Sequence, residues 1–217
     1  MSPQPDREHI GSSRNRLAYG GRMATRAVVW LKDDRAGCEF AEIALKLDRL
    51  TARGVAIGGS PIPYRLDYVL ETGAGFVTTL LDVSSQGAGW RRRLLLRSNG
   101  AGSWTIDAAA EGDPDLTPPG GDPAALAGAL DCDLGLSPVT NLMPILRHGL
   151  LSGGDPVELT AAWVSVAALR VMPDGQRYTN LGKNLVRYDA LDSSFSATIT
   201  VDDDGLVVDY PGIAHRI

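Results

Sequence analysis

Two aspartates one residue apart, Asp131 and Asp133, open a segment that is otherwise apolar, Asp131 to Arg147 (DCDLGLSPVTNLMPILR). In extended backbone, alternate side chains point to one side. Such a pair therefore presents two carboxylates together, a spacing suited to holding a divalent ion or to dividing acid and base roles. In a loop just before a helix, the same aspartates more often accept hydrogen bonds from backbone N–H groups, and that capping role is the favoured reading. Ser137-Pro138 supplies a helix start of this kind, with Ser as N-cap and Pro at the first helical position. Pro144 then limits the helix to about one or two turns. Asn141 and Arg147 are left as polar groups on a short, rigid element, placed either to meet a ligand head group or to satisfy local carbonyls.

The rest of the chain offers little other chemistry. Its three histidines are His9, His148 and His215, and its two cysteines, Cys38 and Cys132, form no C-x-x-C pair. G-x-S-x-G and H-E-x-x-H patterns are missing, so no catalytic residue, metal ligand or cofactor is assigned. Asp202, Asp203, Asp204 and Gly205 read as a β-turn, because the spacing of a calcium loop is missing. The run Arg91, Arg92, Arg93, with Arg97 beyond, lies in a strand-like stretch beside Trp90 and Leu94 to Leu96. A solvated strand face is the simpler account of it, with a local anion site as the alternative.

The elements that would position these groups are strands. Short apolar runs recur at Arg26 to Lys32, Cys38 to Leu47, Tyr64 to Glu71, Phe76 to Val83, Trp90 to Arg97 and Ser103 to Ala109, with turn residues between them. Glu111 to Pro123 is a Pro/Gly/Asp loop with the character of a flap. Val157 to Arg170 is apolar on both parities, as in a strand covered on both faces. Phe195 to Val201 and Leu206 to Tyr210 form a closing hairpin. About ten strands and one or two short helices are expected. Met1 to Ala24 reads as a disordered arm (1–24), and 25–217 as one domain.

Hydrophobic residues make up 44% and charged residues 22% of the 217 positions, which fits a globular chain. The net charge of -5 argues against a nucleic-acid partner. No apolar run is long enough for a transmembrane helix or a secretory signal, so a cytoplasmic location is expected.

Asp131, Asp133, Leu134, Ser137, Pro138, Thr140, Asn141, Pro144, Ile145 and Arg147 match a D-x-D-L step followed by T/S-P-F-T-N-T-L-P-I-R-R. Gly102-Ser103-Trp104, Ala162-Trp163-Val164, Gln176-Arg177-Tyr178, Val186-Arg187-Tyr188, Asp209-Tyr210-Pro211 and Arg216 agree as well. On these residues the chain resembles a bacterial family described as glycolipid-binding, formerly a domain of unknown function, over most of 25–217. Val139 and Leu146 depart from the pattern, replacing its aromatic residue and the first of its two arginines.

The resemblance implies a mainly β fold: a spiral β-roll, in which a long curled antiparallel sheet forms a concave half-barrel with one or two short helices. It also implies a non-enzymatic protein that holds a lipid or glycolipid in the groove of that sheet. Asp131, Asp133, Asn141, Arg147, Trp163, Tyr210 and Arg216 would bind the ligand. Two rival readings stand beside it. One is a hydrolase or isomerase for a small amphipathic substrate, with Asp131 or Asp133 as acid or base; the other is a protein-docking module.

Overall fold

The computed structural model describes residues 24–33 and 37–217, so the expected N-terminal arm lies outside the described residues apart from Ala24, which opens the first strand. The fold consists of one sheet of fourteen strands. The first seven are β1 (Ala24–Lys32), β2 (Cys38–Leu45), β3 (Leu50–Gly58), β4 (Tyr64–Thr72), β5 (Thr78–Gly87), β6 (Trp90–Ser98) and β7 (Trp104–Glu111). The second seven are β8 (Asp131–Leu134), β9 (Val157–Val164), β10 (Val171–Gly182), β11 (Leu185–Ala190), β12 (Ser196–Val201), β13 (Val207–Tyr210) and β14 (Ala214–Arg216).

Their order is β7-β6-β5-β4-β3-β2-β1-β14-β13-β12-β11-β10-β9-β8, so two runs of neighbouring strands meet at the β1–β14 pair. Every pairing is antiparallel except β8–β9. The mainly β, curled and unclosed sheet agrees with the expected spiral roll, and among the described residues the only α-helix is α1 (Leu142–Arg147), accompanied by 3-10 turns.

A parallel pair cannot be closed by a hairpin and needs a crossover connection. Here the crossover is 135–156, which contains a 3-10 turn (Pro138–Asn141) running into α1. Because the turn changes to α-helix at Leu142, Pro144 falls in the first turn of α1, where its missing N–H leaves no bond unmade, and the helix continues past it to Arg147.

The sheet curls so that its β8 end docks against β5. Thr78 N–H donates to Leu130 O at 3.0 Å, and Thr78 Oγ1 accepts from Cys132 N–H at 3.0 Å. The β8–β9 end is thus covered on both sides. Cys132, Leu134, Ala162 and Val164 join the core under β1–β7, and a second core of Ile145, Leu150, Tyr178, Val186, Tyr188 and Ile199 lies under β10–β13. The two-faced burial expected of the 157–170 segment is realised only in the second half of β9, at Ala161, Ala162 and Val164; Glu158 and Thr160 are exposed, and residues 165–170 turn back.

The inner face of β1–β7 carries three aromatic-over-glycine pairs. Tyr68 lies across Gly54, Tyr64 across Gly58 and Trp90 across Gly87, each opposite its glycine in the register; a Cβ on these glycines would stand 2.3, 2.6 and 2.4 Å from the ring. Rings can lie flat on the sheet only where the facing residue has no side chain. Gly54→Ala drives a methyl into the Tyr68 ring and is expected to cost about 1–3 kcal/mol in chemical denaturation. In a Tyr68→Ala background the same change should cost less than half as much; equal costs in both backgrounds would overturn this account.

Candidate functional site

Three polar assemblies are positioned by this fold. The first lies under β1, β2 and β4, where Glu39 is fully buried. Its carboxylate accepts from Lys32 Nζ at 2.6 Å, Tyr68 Oη at 2.9 Å and Ser137 Oγ at 2.6 Å, and Lys32 also donates to Leu136 O. Burial, with the Glu39 charge alongside, pushes the Tyr68 phenol well above its ordinary range. Ser137 does occupy the N-cap position, but its hydroxyl makes no cap bond and reaches Glu39 instead. A cavity of about 10 Å³, near the size of one water, adjoins the group between Ala56, Tyr64, Leu66, Leu136 and Val166.

The second assembly lies on the other side of β8. Strand alternation does point Asp131 and Asp133 to one side, and the partners of both carboxylates are side chains rather than the backbone N–H groups that capping would supply. Asp131 accepts both guanidinium nitrogens of Arg147, with Nη1 at 2.6 Å. Asp133 accepts from Thr140 Oγ1 and from Gln176 Nε2, both at 2.7 Å, and Gln176 also reaches Asp174 at 2.9 Å. Tyr178 donates to Asn141 Oδ1 at 3.0 Å, while the Asn141 amide donates to Pro138 O at 3.3 Å.

Tyr178, Tyr188, Phe195 and Tyr210 pack beyond them with ring centroids 5.3 to 6.2 Å apart, the tyrosines edge to face and Phe195 tilted against Tyr188 and Tyr210. Asp133 retains some residue surface, yet its carboxylate is enclosed, and desolvation pushes it up to about 6. Burial also raises the phenols of Tyr178, Tyr188 and Tyr210, with Asp133 adding to each.

Asp131, Asp133, Asn141, Arg147 and Tyr210 thus meet around one interior region. Trp163 stands opposite Asp133 in the β8–β9 register and lies beside Gly135. Arg216 is elsewhere: with Arg26 it holds Asp202, at 2.7 and 3.4 Å, and Arg26 also meets Asp204. Asp202 Oδ1 caps the expected turn, accepting from Asp204 N and Leu206 N.

The third assembly lies on the solvent face of β2–β6, a hollow of about 510 Å³. It is lined by Phe40, Val55 and Val69 together with Arg53, Arg91, Arg93, Glu42, Asp67 and Asp82. Two transverse rows of the register cross this face. One reads Val29, Phe40, Val55, Asp67, Ser84, Arg93, and the other Leu31, Cys38, Ile57, Arg65, Gln86, Arg91.

In these two rows the face is apolar over β1–β3, where Leu31, Phe40, Val55 and Ile57 are exposed, and polar or charged over β4–β6, while the adjoining row, Ala27, Glu42, Arg53, Val69, Asp82, Leu95, carries charge on β2 and β3 as well. Arg93 pairs with Asp82 at 3.3 Å and Arg65 with Asp67 at 2.7 Å, whereas Arg53 and Arg91 make no hydrogen bond or ion pair among the described residues. The solvated-face reading of the arginine run holds for Arg91 and Arg93, which are exposed, and fails for Arg92, which is buried.

Residues 27–216 match the model of the family described as "Putative glycolipid-binding". The chain belongs to this family. The crystal structure of a DUF1089 family protein from Pseudomonas aeruginosa is similar, at 31% identity and a TM-score of 0.63, covering 82% of this chain and 92% of that one. Comparison with curated proteins gives no match.

The site residues expected from the sequence include Tyr210 but not Glu39, Lys32, Gln176, Tyr178 or Tyr188. A signal for Glu39 was present, because it shares its parity with Ala41 and Ile43, where a buried strand face leaves no room for an unpaired charge.

The raised Asp133 value has a definite sign. An acid whose folded value lies above its unfolded one contributes stability that is fully present below about pH 4 and lost as pH rises through about 6. Over that window, unfolding free energy measured by chemical denaturation should fall in the native chain, relative to Asp133→Asn, by up to about 3 kcal/mol. Parallel pH profiles for the two proteins would overturn this assignment.

Proposed function

We propose that this protein binds an amphipathic lipid, a glycolipid by the description of its family, without transforming it, and that the ligand lies on the solvent-facing hollow of β2–β6. The observation that carries the reading is the register itself, which in two transverse rows sets an apolar strip on β1–β3 beside a charged strip on β4–β6, with Glu42 and Arg53 bordering Phe40 and Val55 in the next row. Strands are spaced about 4.8 Å apart, so the two strips together span roughly 24 Å, enough for an acyl segment on one side and a head group on the other. Each methylene covered by Leu31, Phe40, Val55 or Ile57 contributes about 0.8 kcal/mol. Arg53 and Arg91 have donors to spare for sugar hydroxyls, and Asp67, Asp82 and Glu42 supply acceptors.

The concave side offers less, because β8, α1 and their cores fill it. The carboxylates of Asp131 and Asp133 and the amide of Asn141 are already engaged there by Arg147, Thr140, Gln176 and Tyr178, so on this reading they shape the roll that presents the hollow.

A second reading draws on the Asp133 carboxyl, pushed up to about 6 beside Asp174 and three tyrosines. An acid poised near neutrality in an enclosed site suits proton transfer, as a hydrolase or isomerase requires.

The test is flotation with phosphatidylcholine vesicles, with and without a monogalactosyl diacylglycerol. The native chain is expected to float with the glycolipid vesicles. The surface pair Phe40→Asp and Val55→Asp should weaken that binding by about tenfold or more, and Asp133→Asn should leave it unchanged. Absence of glycolipid-dependent flotation, or indifference to the Phe40 and Val55 changes, would overturn the assignment to this face.

A further inference from the structure

Among the described residues four charged side chains are buried: Lys32, Glu39, Arg92 and Asp131. Lys32 and Glu39 neutralise each other, and Asp131 is neutralised by Arg147. Arg92 is only 6% exposed, and no acidic side chain among the described residues stands within ion-pair distance of it. Its Nε is enclosed without an acceptor, while its terminal nitrogens meet no protein acceptor and are not enclosed, so the guanidinium reaches the rim of the inner face of β6 with its charge unmatched among the described residues.

A second orphan stands directly across from it. Only two buried side-chain polar atoms among the described residues lack a hydrogen-bond partner, Arg92 Nε and Ser85 Oγ. Ser85 and Arg92 are register partners on β5 and β6, with both side chains on the inner face. They face each other and do not bond to each other, so an N–H and an O–H donor stand side by side without an acceptor among the described residues.

The remaining neighbours in that transverse row are Leu66 on β4 and Ala110 on β7, neither of which brings a polar side chain. Further along the same row Glu39 is already bound to Lys32, Tyr68 and Ser137. On the open side β7 is the edge of the sheet, and its inward residues Ala108 and Ala110 are small and exposed.

We propose that Arg92 and Ser85 form an oxyanion-binding site on the inner face of β5–β6, occupied by a phosphate-monoester or carboxylate group that enters over Ala108 and Ala110. A planar guanidinium engages two oxygens of such a group, and the serine hydroxyl donates to one of them. The site lies on the opposite face of the sheet from the hollow, so it stands or falls independently of lipid binding there.

The test is thermal unfolding of the full chain at matched ionic strength in chloride, inorganic phosphate, octanoate and octyl phosphate. The native protein is expected to gain about 3 °C or more in an anion that fills the site. A response to inorganic phosphate assigns the site to free oxyanions, and a response restricted to octanoate or octyl phosphate assigns it to the head group of an amphiphile. Arg92→Met should unfold at a higher temperature than the native chain in chloride and gain nothing from the anions. Arg92→Lys keeps the charge and tests the site should Arg92→Met fail to fold; it should respond more weakly than the native chain. Arg93→Met, on the outer face, should respond as the native chain does. No anion-specific gain in the native protein, as with a bound water only, or an equal gain in an Arg92 variant, would overturn the proposal.

Discussion

The buried carboxylate of Glu39 is the point on which the rest of this architecture turns. It lies on the inner face of the sheet, and three of its four lone-pair positions are met by an ammonium on β1, a phenol on β4 and a hydroxyl from the segment that fills the roll. Removing any one of these donors would leave charge unsatisfied in a dry interior, so the three contacts are mutually dependent. Lys32 extends the group to Leu136 O, which fixes the loop where the chain leaves β8 with Leu136 at a positive φ of 64°. Glu39 therefore pins the filling segment to the wall of the half-barrel and, with Thr78 at the free edge of β8, holds the sheet in its curled form.

This closure has a functional consequence. A half-barrel with an empty concave face would shelter an acyl chain, but here Leu142, Met143, Leu134 and Val139 occupy that space as core. The second polar network, behind β8, is filled in the same way by its own side chains: Arg147 on Asp131, Thr140 and Gln176 on Asp133, Tyr178 on Asn141. The surface left free to bind is the convex one. Its composition fits that use, since Leu31, Phe40, Val55 and Ile57 are exposed together there beside two arginines that have no partner among the described residues, while Met172, Leu181, Leu191 and Phe195 are exposed on other strands and turns.

Much of the fold was legible from alternation. β4 carries its apolar residues on one parity and, Val69 apart, polar ones on the other, β2 follows the same alternation except that Glu39 faces in and Cys38 and Phe40 lie on the outer parity, and the turn residues between strands mark the hairpins. β3 escaped because its pattern is inverted: the small residues Ala52, Gly54 and Ala56 face inward, opposite Leu70, Tyr68 and Leu66 of β4, while Val55 and Ile57 face solvent. β8 was too short to show a period, and its parallel pairing with β9 depends on a crossover that no local signal announces. In the same segment the motif was visible and its partners were not. Ser137 has the local grammar of an N-cap, and only the fold brings it to a carboxylate on β2.

Charges on apolar parities were the signal left unused, and they bear most on function. Glu39 among Ala41 and Ile43, and Arg92 among Trp90, Leu94 and Leu96, both occupy positions where a half-buried strand should carry an apolar side chain. Each such position must be neutralised from inside the fold or from outside it. For Glu39 the neutralising group is Lys32, close by in the chain and across one hairpin. For Arg92 the flanking arginines turn outward, the facing residue is Ser85, and the next strand offers alanine. Three consecutive arginines are thus divided by the pleat between two faces, one that meets solvent and one that meets the core. Substitutions at neighbouring positions 91 to 93 therefore probe two separate surfaces, and the chemistry of one cannot be inferred from the behaviour of the other.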